Sequence, residues 1–455
     1  MSTTPPDNTT RARMSFRRDR LILGMLTAAL AGLVVHHTLT LPMPKNLVVA
    51  APRQTRVTAD ASMSFEKALL ERFAREHGVN LTLVLTDTPE ETLEMVESGG
   101  AQIGLALGVA PGEVSAHDAK TSKKQSKMAF GPEYDRQIIY AIDWQNGFAP
   151  PEEATGAMDE LLRVAASFSL SPRQAPALPL DALHLLLPFL SEVRDTAPTP
   201  HEASYRFVWR TDVPKLDKAM RAFWADLLAD GSLDDLHERT LGFFPADPDP
   251  FEMELLRRTL ALNVPEHHKT IERAARKWRL DPYLLTAVIH QESRFDPDAV
   301  SATGVRGLMQ MTGPTLAELN VKNPDDPVEI IHAGARYLDL LRGQFVKMGY
   351  NADDAMLLAL ASFNVGQGHV QDAIDLLRGE NDKSDELPSW LGVRQALSLL
   401  ADEAVARQTR YGLCRGGEAV DFVDKVRYFA FAIRGLVLAS AQGDELPGFR
   451  LALAD

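Results

Sequence analysis

The spacing of apolar positions changes character twice along this chain. Residues 1–43 show no amphipathic period: "RARMSFRRDR" sets Arg11, Arg13, Arg17, Arg18 and Arg20 ahead of the unbroken apolar run Leu21–Val35, which "HHTLTLP" extends weakly to Leu41. Such a run suits a signal-peptide core or just spans a bilayer. No small-x-small cleavage site and no cysteine follow it closely. The pattern therefore predicts an uncleaved membrane anchor over residues 1–45, its basic tail left in the cytoplasm. From Asn46 the period alternates between two and 3.6. "NLVVAA", "NLTLVL", "AQIGLALGV", "RQIIYAI" and "ASYRFVWRT" read as strands. Between and after them, "SFEKALLERFAREHG" puts Phe65, Leu69, Leu70 and Phe73 on one helical face, and "TPEETLEMVESGG" is a capped helix. "VPKLDKAMRAFWADLLADGSLDDLHERTLG" reads as two more amphipathic helices. Strands and helices in alternation with short joints predict an α/β domain over residues 46–245.

Residues 145–200 are proline-rich, and only "ALPLDALHLLLPFL" carries a helical signal there. "FFPADPDPFEME" then marks a linker, placed at 246–262. Beyond it nearly everything has helical period to about residue 440, which predicts an all-α domain at 263–445. The fold class is thus multidomain, an α/β domain followed by an all-α one.

Charge narrows the partners. The chain has 455 residues and a formal net charge of -14. Residues 1–43 hold five Arg and two Asp, which leaves 43 basic against 60 acidic residues in the remainder. That excess argues against nucleic acid as a partner. The single Cys414 excludes an internal disulfide and a zinc-type cysteine cluster, and reads as a small buried hydrophobe. With no metal-ligand constellation and no phosphate loop in the sequence, no cofactor and no metal are expected.

The candidate chemistry lies in "LLTAVIHQESRFDPDAVSATGVRGLMQM", residues 284–311. Asp281-Pro282 is a helix start, an N-cap followed by proline at the first helical position. The helix buries Leu284, Leu285, Val288 and Ile289, and Glu292 falls on the same face at i+3 from Ile289 and i+4 from Val288. In the last turn the helix dipole disfavours a carboxylate, and burial acts in the same direction. Both keep Glu292 protonated near neutral pH, as the acid that breaks a glycosidic bond must be. A glutamate exposed at a fraying helix end, or paired with Arg294, fits the spacing equally well.

The surrounding motifs shift that balance. Glu292-Ser293, Ser301, Gly304, Gly307, Leu308, Met309 and Gln310 resemble the catalytic signature of the lytic transglycosylases with a goose-type lysozyme fold. In that family the glutamate is the catalytic acid. "ALASFNVGQGHV" at 359–370 resembles its second motif, with Phe363 in place of the usual tyrosine, then Asn364, Gly366 and Gly368. "SWLGVRQALSLL", followed by "TRYGLCRGGEAVDFVDKVRYF", is similar to the tail of the membrane-bound lytic murein transglycosylase F type, matching at Trp390, Tyr411, Gly412, Arg415, Gly416, Glu418 and Ala419. Phe422 there replaces a second tyrosine. The resemblance implies a substrate-binding set of Ser293, Met309, Gln310, Phe363 and Asn364. It implies supporting roles for Gly304, Gly307, Gly366, Glu418 and Phe422, though Glu418 fits a solvated helix charge equally well. The glycines read as places of close backbone approach.

The same family carries a module similar to bacterial solute-binding proteins before its catalytic domain, and residues 46–145 and 207–242 fit it. The implied architecture is a bilobed periplasmic-binding-protein-like domain followed by a lysozyme-like domain. Amino-acid binders grip a carboxylate with Thr and Arg after the third strand. "VAPGEVSAHDAK" lacks the arginine, so no tight binding of a free amino acid is expected, which leaves muropeptides open as ligands of this module. The implied activity is cleavage of the N-acetylmuramic acid–N-acetylglucosamine bond of peptidoglycan glycan strands, on the periplasmic side of a bacterial envelope membrane, leaving 1,6-anhydromuramyl ends. A hydrolytic lysozyme of the same fold and a non-catalytic sensor of cell-wall fragments are the alternatives.

Overall fold

The computed structural model describes residues 43–52, 65–108, 127–144, 177–180, 183–184, 187, 193–247, 249–301, 304–379 and 387–441. The expected anchor, apart from its last few residues, and the stretch "VAPGEVSAHDAK" at 109–120 fall outside them. Among the described residues no helix is long and apolar enough to cross a membrane.

The chain divides into two compact units, the first built from residues 1–57, 67–135 and 204–230 and the second from the rest. The N-terminal elements follow the predicted alternation: β1 Asn46–Pro52, α1 Phe65–His77, β2 Asn80–Thr86, α2 Pro89–Ser98 and β3 Ile103–Leu107. Then come β4 Met128–Trp144, β5 Ala177–Pro179, β6 Val193–Arg210, α3 Pro214–Ala229 and α4 Ser232–Thr240. The sheet order is β2-β1-β3-β6-β4-β5. β1 runs parallel to β2 and β3, as short strand–helix–strand joints require, and β6 is antiparallel to β3. Local chemistry sets the joints. Thr88 accepts a hydrogen bond from Glu91 N–H at 3.1 Å to start α2, and Gly99 ends it at φ 93°. Arg210 then donates to the freed carbonyls of Val96 (3.0 Å) and Glu97 (3.1 Å).

One expectation fails in the proline-rich stretch. Residues 177–179, read as the start of a helix, form β5, because they pair antiparallel with Ile139–Ala141 of β4 and so bury Leu178. A second difference lies in the expected linker, where α5 occupies Pro250–Leu262. Asp249 caps it through the N–H groups of Phe251 and Glu252, and Met253, Leu256 and Leu260 are buried. The proline that reads as a breaker is the first residue of a helix.

The remaining elements are helical, as predicted: α6 Val264–Trp278, α7 Pro282–Ser293, α8 Gly313–Glu318, α9 Pro327–Met348, α10 Ala352–Val365, α11 Gln367–Arg378, α12 Trp390–Leu399, α13 Glu403–Ala406 and α14 Gly416–Ala441. They share one hydrophobic cluster in the second unit, which also takes in Tyr140, Ile142, Leu178, Leu183 and Leu187. Within that unit His184 is fully buried and donates to Pro245 O at 2.7 Å, while its other ring nitrogen lies 3.3 Å from the Tyr428 hydroxyl. Burial pushes its pKa down to about 4, so it is a neutral polar tie.

A buried charge cluster fixes α14. Glu238, at the end of α4, is paired with Arg394 of α12 and with Arg427 of α14 at 3.3 Å, and accepts from Trp390 Nε1 at 3.2 Å. Arg394 also donates to Asp424 at 2.8 Å, and Arg427 donates to the Glu238 carbonyl at 2.9 Å and lies 4.4 Å over the Phe243 ring. Burial raises Asp424 to about 6 despite these arginines. Cys414 is buried, as its lone occurrence suggests.

Candidate active site

α7 is the central helix of the site. Asp281 accepts from Tyr283 N–H at 2.9 Å, and its other oxygen is ion-paired with Arg434 of α14. Leu285, Val288 and Ile289 are fully buried, and α7 packs along α14 and α6. Glu292 stands in the last turn with its residue surface only partly open to solvent. Among the described residues no hydrogen bond or ion pair engages its carboxyl, and Arg294 is the exposed C-cap residue at φ 54° rather than its partner. Burial, with no opposing cation, pushes the Glu292 carboxyl up to about 8. The group is a carboxylic acid, not a carboxylate, at neutral pH.

After Glu292 the chain turns on two successive left-handed residues, Arg294 (φ 54°) and Phe295 (φ 63°), the second fully packed inside with His267 stacked on it at 5.8 Å. The return loop is sewn back onto the helix. Ser293 Oγ donates to Leu308 O at 2.9 Å, and Gln310 Nε2 donates to Gly307 O (2.7 Å) and Ala299 O (3.1 Å). Thus Ser293 and the Gln310 amide nitrogen hold the loop, and among the described residues no hydrogen bond engages the Gln310 side-chain carbonyl oxygen. Gly304 and Gly307 take φ of 84° and 94°, and a Cβ there would meet nothing nearer than Pro324 O, at 3.8 Å from Gly307. Their purpose is the left-handed backbone rather than the close approach expected from sequence. Close approach occurs instead at Gly334 of α9, where a Cβ would stand 2.2 Å from Met309 Cε. Met309 is fully buried on that glycine and floors the loop.

The second motif ends α10. Asn364 is exposed, and Gly366 (φ 92°) closes the helix by donating to Ser362 O at 2.9 Å. Phe363 is half-buried, stacked on the buried Phe422 of α14 at 6.4 Å and 11°. The two phenylalanines that replace the family's tyrosines therefore pack against each other. Glu418 lies on the surface in an ion pair with Arg415 at 3.1 Å. α14, which carries Phe422, packs against both α7, which carries Glu292, and α10, which carries Phe363–Asn364, and the Met309–Gln310 loop is tied to α7.

Residues 269–385, which hold every site residue expected from sequence except Phe422 and Glu418, match the transglycosylase SLT domain. The chain is 28% identical over 81% of its length, and 86% of the relative's, to membrane-bound lytic murein transglycosylase F 2 of Alkalilimnicola ehrlichii. It is 32% identical over 61% of its length, and 55% of the relative's, to membrane-bound lytic murein transglycosylase F of Yersinia enterocolitica. The chain is a lytic transglycosylase. Among solved structures, the GluR0 ligand-binding core of Nostoc punctiforme in complex with L-glutamate aligns at 14% identity and a TM-score of 0.30, over 43% of this chain and 99% of that one. That likeness is too slight to carry an argument.

Two residues beside the candidate site escape motif reading. Gly334 sits in "HAGARYL", in mid-helix where glycine costs about 1 kcal/mol relative to alanine, and that cost is the signal of a packing duty. Tyr337, one turn further, has its ring 5.7 Å from Phe363. A Gly334→Val enzyme should lose about 1–3 kcal/mol of stability, because the added side chain meets the buried Met309 at Cε, Cγ and Sδ together. Urea denaturation measures the loss, and activity should fall with it as the Gln310 loop shifts.

Proposed function

We propose that Glu292 is the general acid and base that cuts the β-1,4 bond between N-acetylmuramic acid and N-acetylglucosamine in peptidoglycan. The protonated carboxyl donates to the bridging oxygen, and the bond from that oxygen to the muramyl C1 breaks. The carboxylate so formed takes the proton of the muramyl C6 hydroxyl, whose oxygen bonds to C1 and closes a 1,6-anhydro ring. The proton lost is regained, and no water is consumed. Because the substrate brings its own nucleophile, the two-carboxylate arrangement of ordinary glycosidases is unnecessary. The observation that carries this reading is the Glu292 carboxyl itself, in the last turn of α7 just before a glycine-turned loop, with no hydrogen bond or ion pair among the described residues and burial that pushes its pKa up to about 8.

Gln310 and Asn364 offer amide groups to the glycan, Phe363 offers an apolar ring, and Phe422 backs it. Ser293, Met309, Gly304, Gly307 and Gly366 hold the shape, and Glu418 takes a solvated supporting place. The N-terminal apolar segment is proposed to anchor the protein, and the α/β unit to receive muropeptides, on the periplasmic face of the envelope. Mass spectrometry of digested sacculi tests the chemistry: 1,6-anhydromuramyl ends are expected, and reducing ends would replace this mechanism with hydrolysis. The pH profile offers a second check. Activity should hold from mildly acidic to neutral pH and fall on a limb near 8, as Glu292 loses its proton. A limb near pH 5 in place of one near 8 would mean an acid in an ordinary environment.

A further inference from the structure

We infer that Tyr337 contacts the substrate in this same site, its hydroxyl hydrogen-bonded to the N-acetyl group of a bound N-acetylglucosamine residue. The inference rests on the cleavage reading above and adds to it a residue that no motif marks. Tyr337 lies on α9 three residues beyond Gly334, hence on the helix face against which Met309 packs. Its ring is 5.7 Å from that of Phe363 at 50°, and Phe363 in turn stacks on Phe422. Tyr337 therefore bridges the two halves of the site, the loop that ends in Met309 and Gln310 and the helix end that presents Asn364. Of these three rings it alone carries a hydroxyl.

Among the described residues no hydrogen bond engages that hydroxyl. It is not sealed in, unlike the Tyr350 hydroxyl, which is enclosed without a partner. Burial and the nearby Glu318 carboxylate raise the Tyr337 pKa, so the group stays a proton donor across the working range. The same carboxylate makes an anionic ligand group, such as a lactyl or peptide carboxylate, a poor occupant. A neutral acceptor attached to a small apolar group suits the place better. An acetamido group has both parts: its carbonyl accepts from Tyr337, and its methyl rests on the half-buried Phe363 ring.

The test compares wild type with Tyr337→Phe on purified peptidoglycan and on the same glycan with its glucosamine residues enzymatically N-deacetylated. On acetylated glycan the variant should melt like wild type, keep kcat within about twofold and show KM raised about tenfold, the size of one well-made hydrogen bond. On deacetylated glycan wild type should show a similar rise, and Tyr337→Phe should add nothing further, since the partner is already gone. A KM within about twofold of wild type on acetylated glycan overturns the inference, as do two losses that multiply. Anhydromuramyl release by wild type in the same assay keeps the two readings apart: if it occurs while Tyr337→Phe is silent, only the contact is wrong. Its absence overturns both.

Discussion

A Glu292→Gln enzyme is expected to fold as the wild type does and to lose glycan cleavage by at least about 10²- to 10⁴-fold. Glutamine keeps the size of the side chain and part of its hydrogen bonding but has no transferable proton. Since one residue serves both halves of the reaction, neither half survives. The same change should stabilise the protein in a pH-dependent way. The folded-state pKa is raised from 4.5 to about 8, so the folded chain holds a proton that the unfolded chain releases between those values. Stability in wild type therefore falls as pH rises from about 4.5 and levels off above about 8. Glu292→Gln escapes that loss, so its melting temperature should match wild type at pH 4 and exceed it at pH 8. Near-wild-type turnover in the variant would place the proton donor elsewhere. Equal melting temperatures at pH 8 would show that the carboxyl is not desolvated.

The second large effect is on stability. Glu238→Leu should cost about 3–5 kcal/mol, because it removes one anion from a buried set of two arginines and two acids. Among the described residues Arg427 is left with Asp424 at 3.6 Å as its only carboxylate, and Trp390 Nε1 loses its acceptor. Equilibrium denaturation in urea reads the change, with Glu403→Leu as control. Glu403 pairs with Arg407 on an open surface, and such pairs contribute little. A loss at Glu238 no larger than at Glu403 would mean that water reaches the cluster.

The sequence made the elements legible where periodicity and caps agreed. Asp281-Pro282 starts α7, Gly99 ends α2, and the buried Ile331, Ala335, Leu338 and Leu341 stripe marks α9. It misled where a single residue type has two uses. Pro250 suggests a linker yet opens α5, and the glycines of the loop serve φ rather than proximity. Residues 177–179 read as helix because their strand identity comes from β4, a partner far away in sequence. In the site, Glu292 was legible because an acid on an apolar face is costly. Ser293 and Gln310 were recognisable as motif positions, but their hydrogen bonds to Leu308, Gly307 and Ala299 depend on a loop path that spacing does not reveal. Tyr337 left no trace, since an aromatic residue on a core helix is ordinary until its neighbours are known.

The Glu238 cluster also bears on how such a protein can be inherited. The residue that neutralises α12 and α14 comes from α4, ahead of the proline-rich joint at 245–250. A recombination event that moved only the helical half into another gene would strand Arg394 and Arg427 with one acid between them. The helical half is therefore not a freely portable cassette, and substitutions at Glu238, Arg394 and Arg427 should be tolerated in lineages only when they occur together.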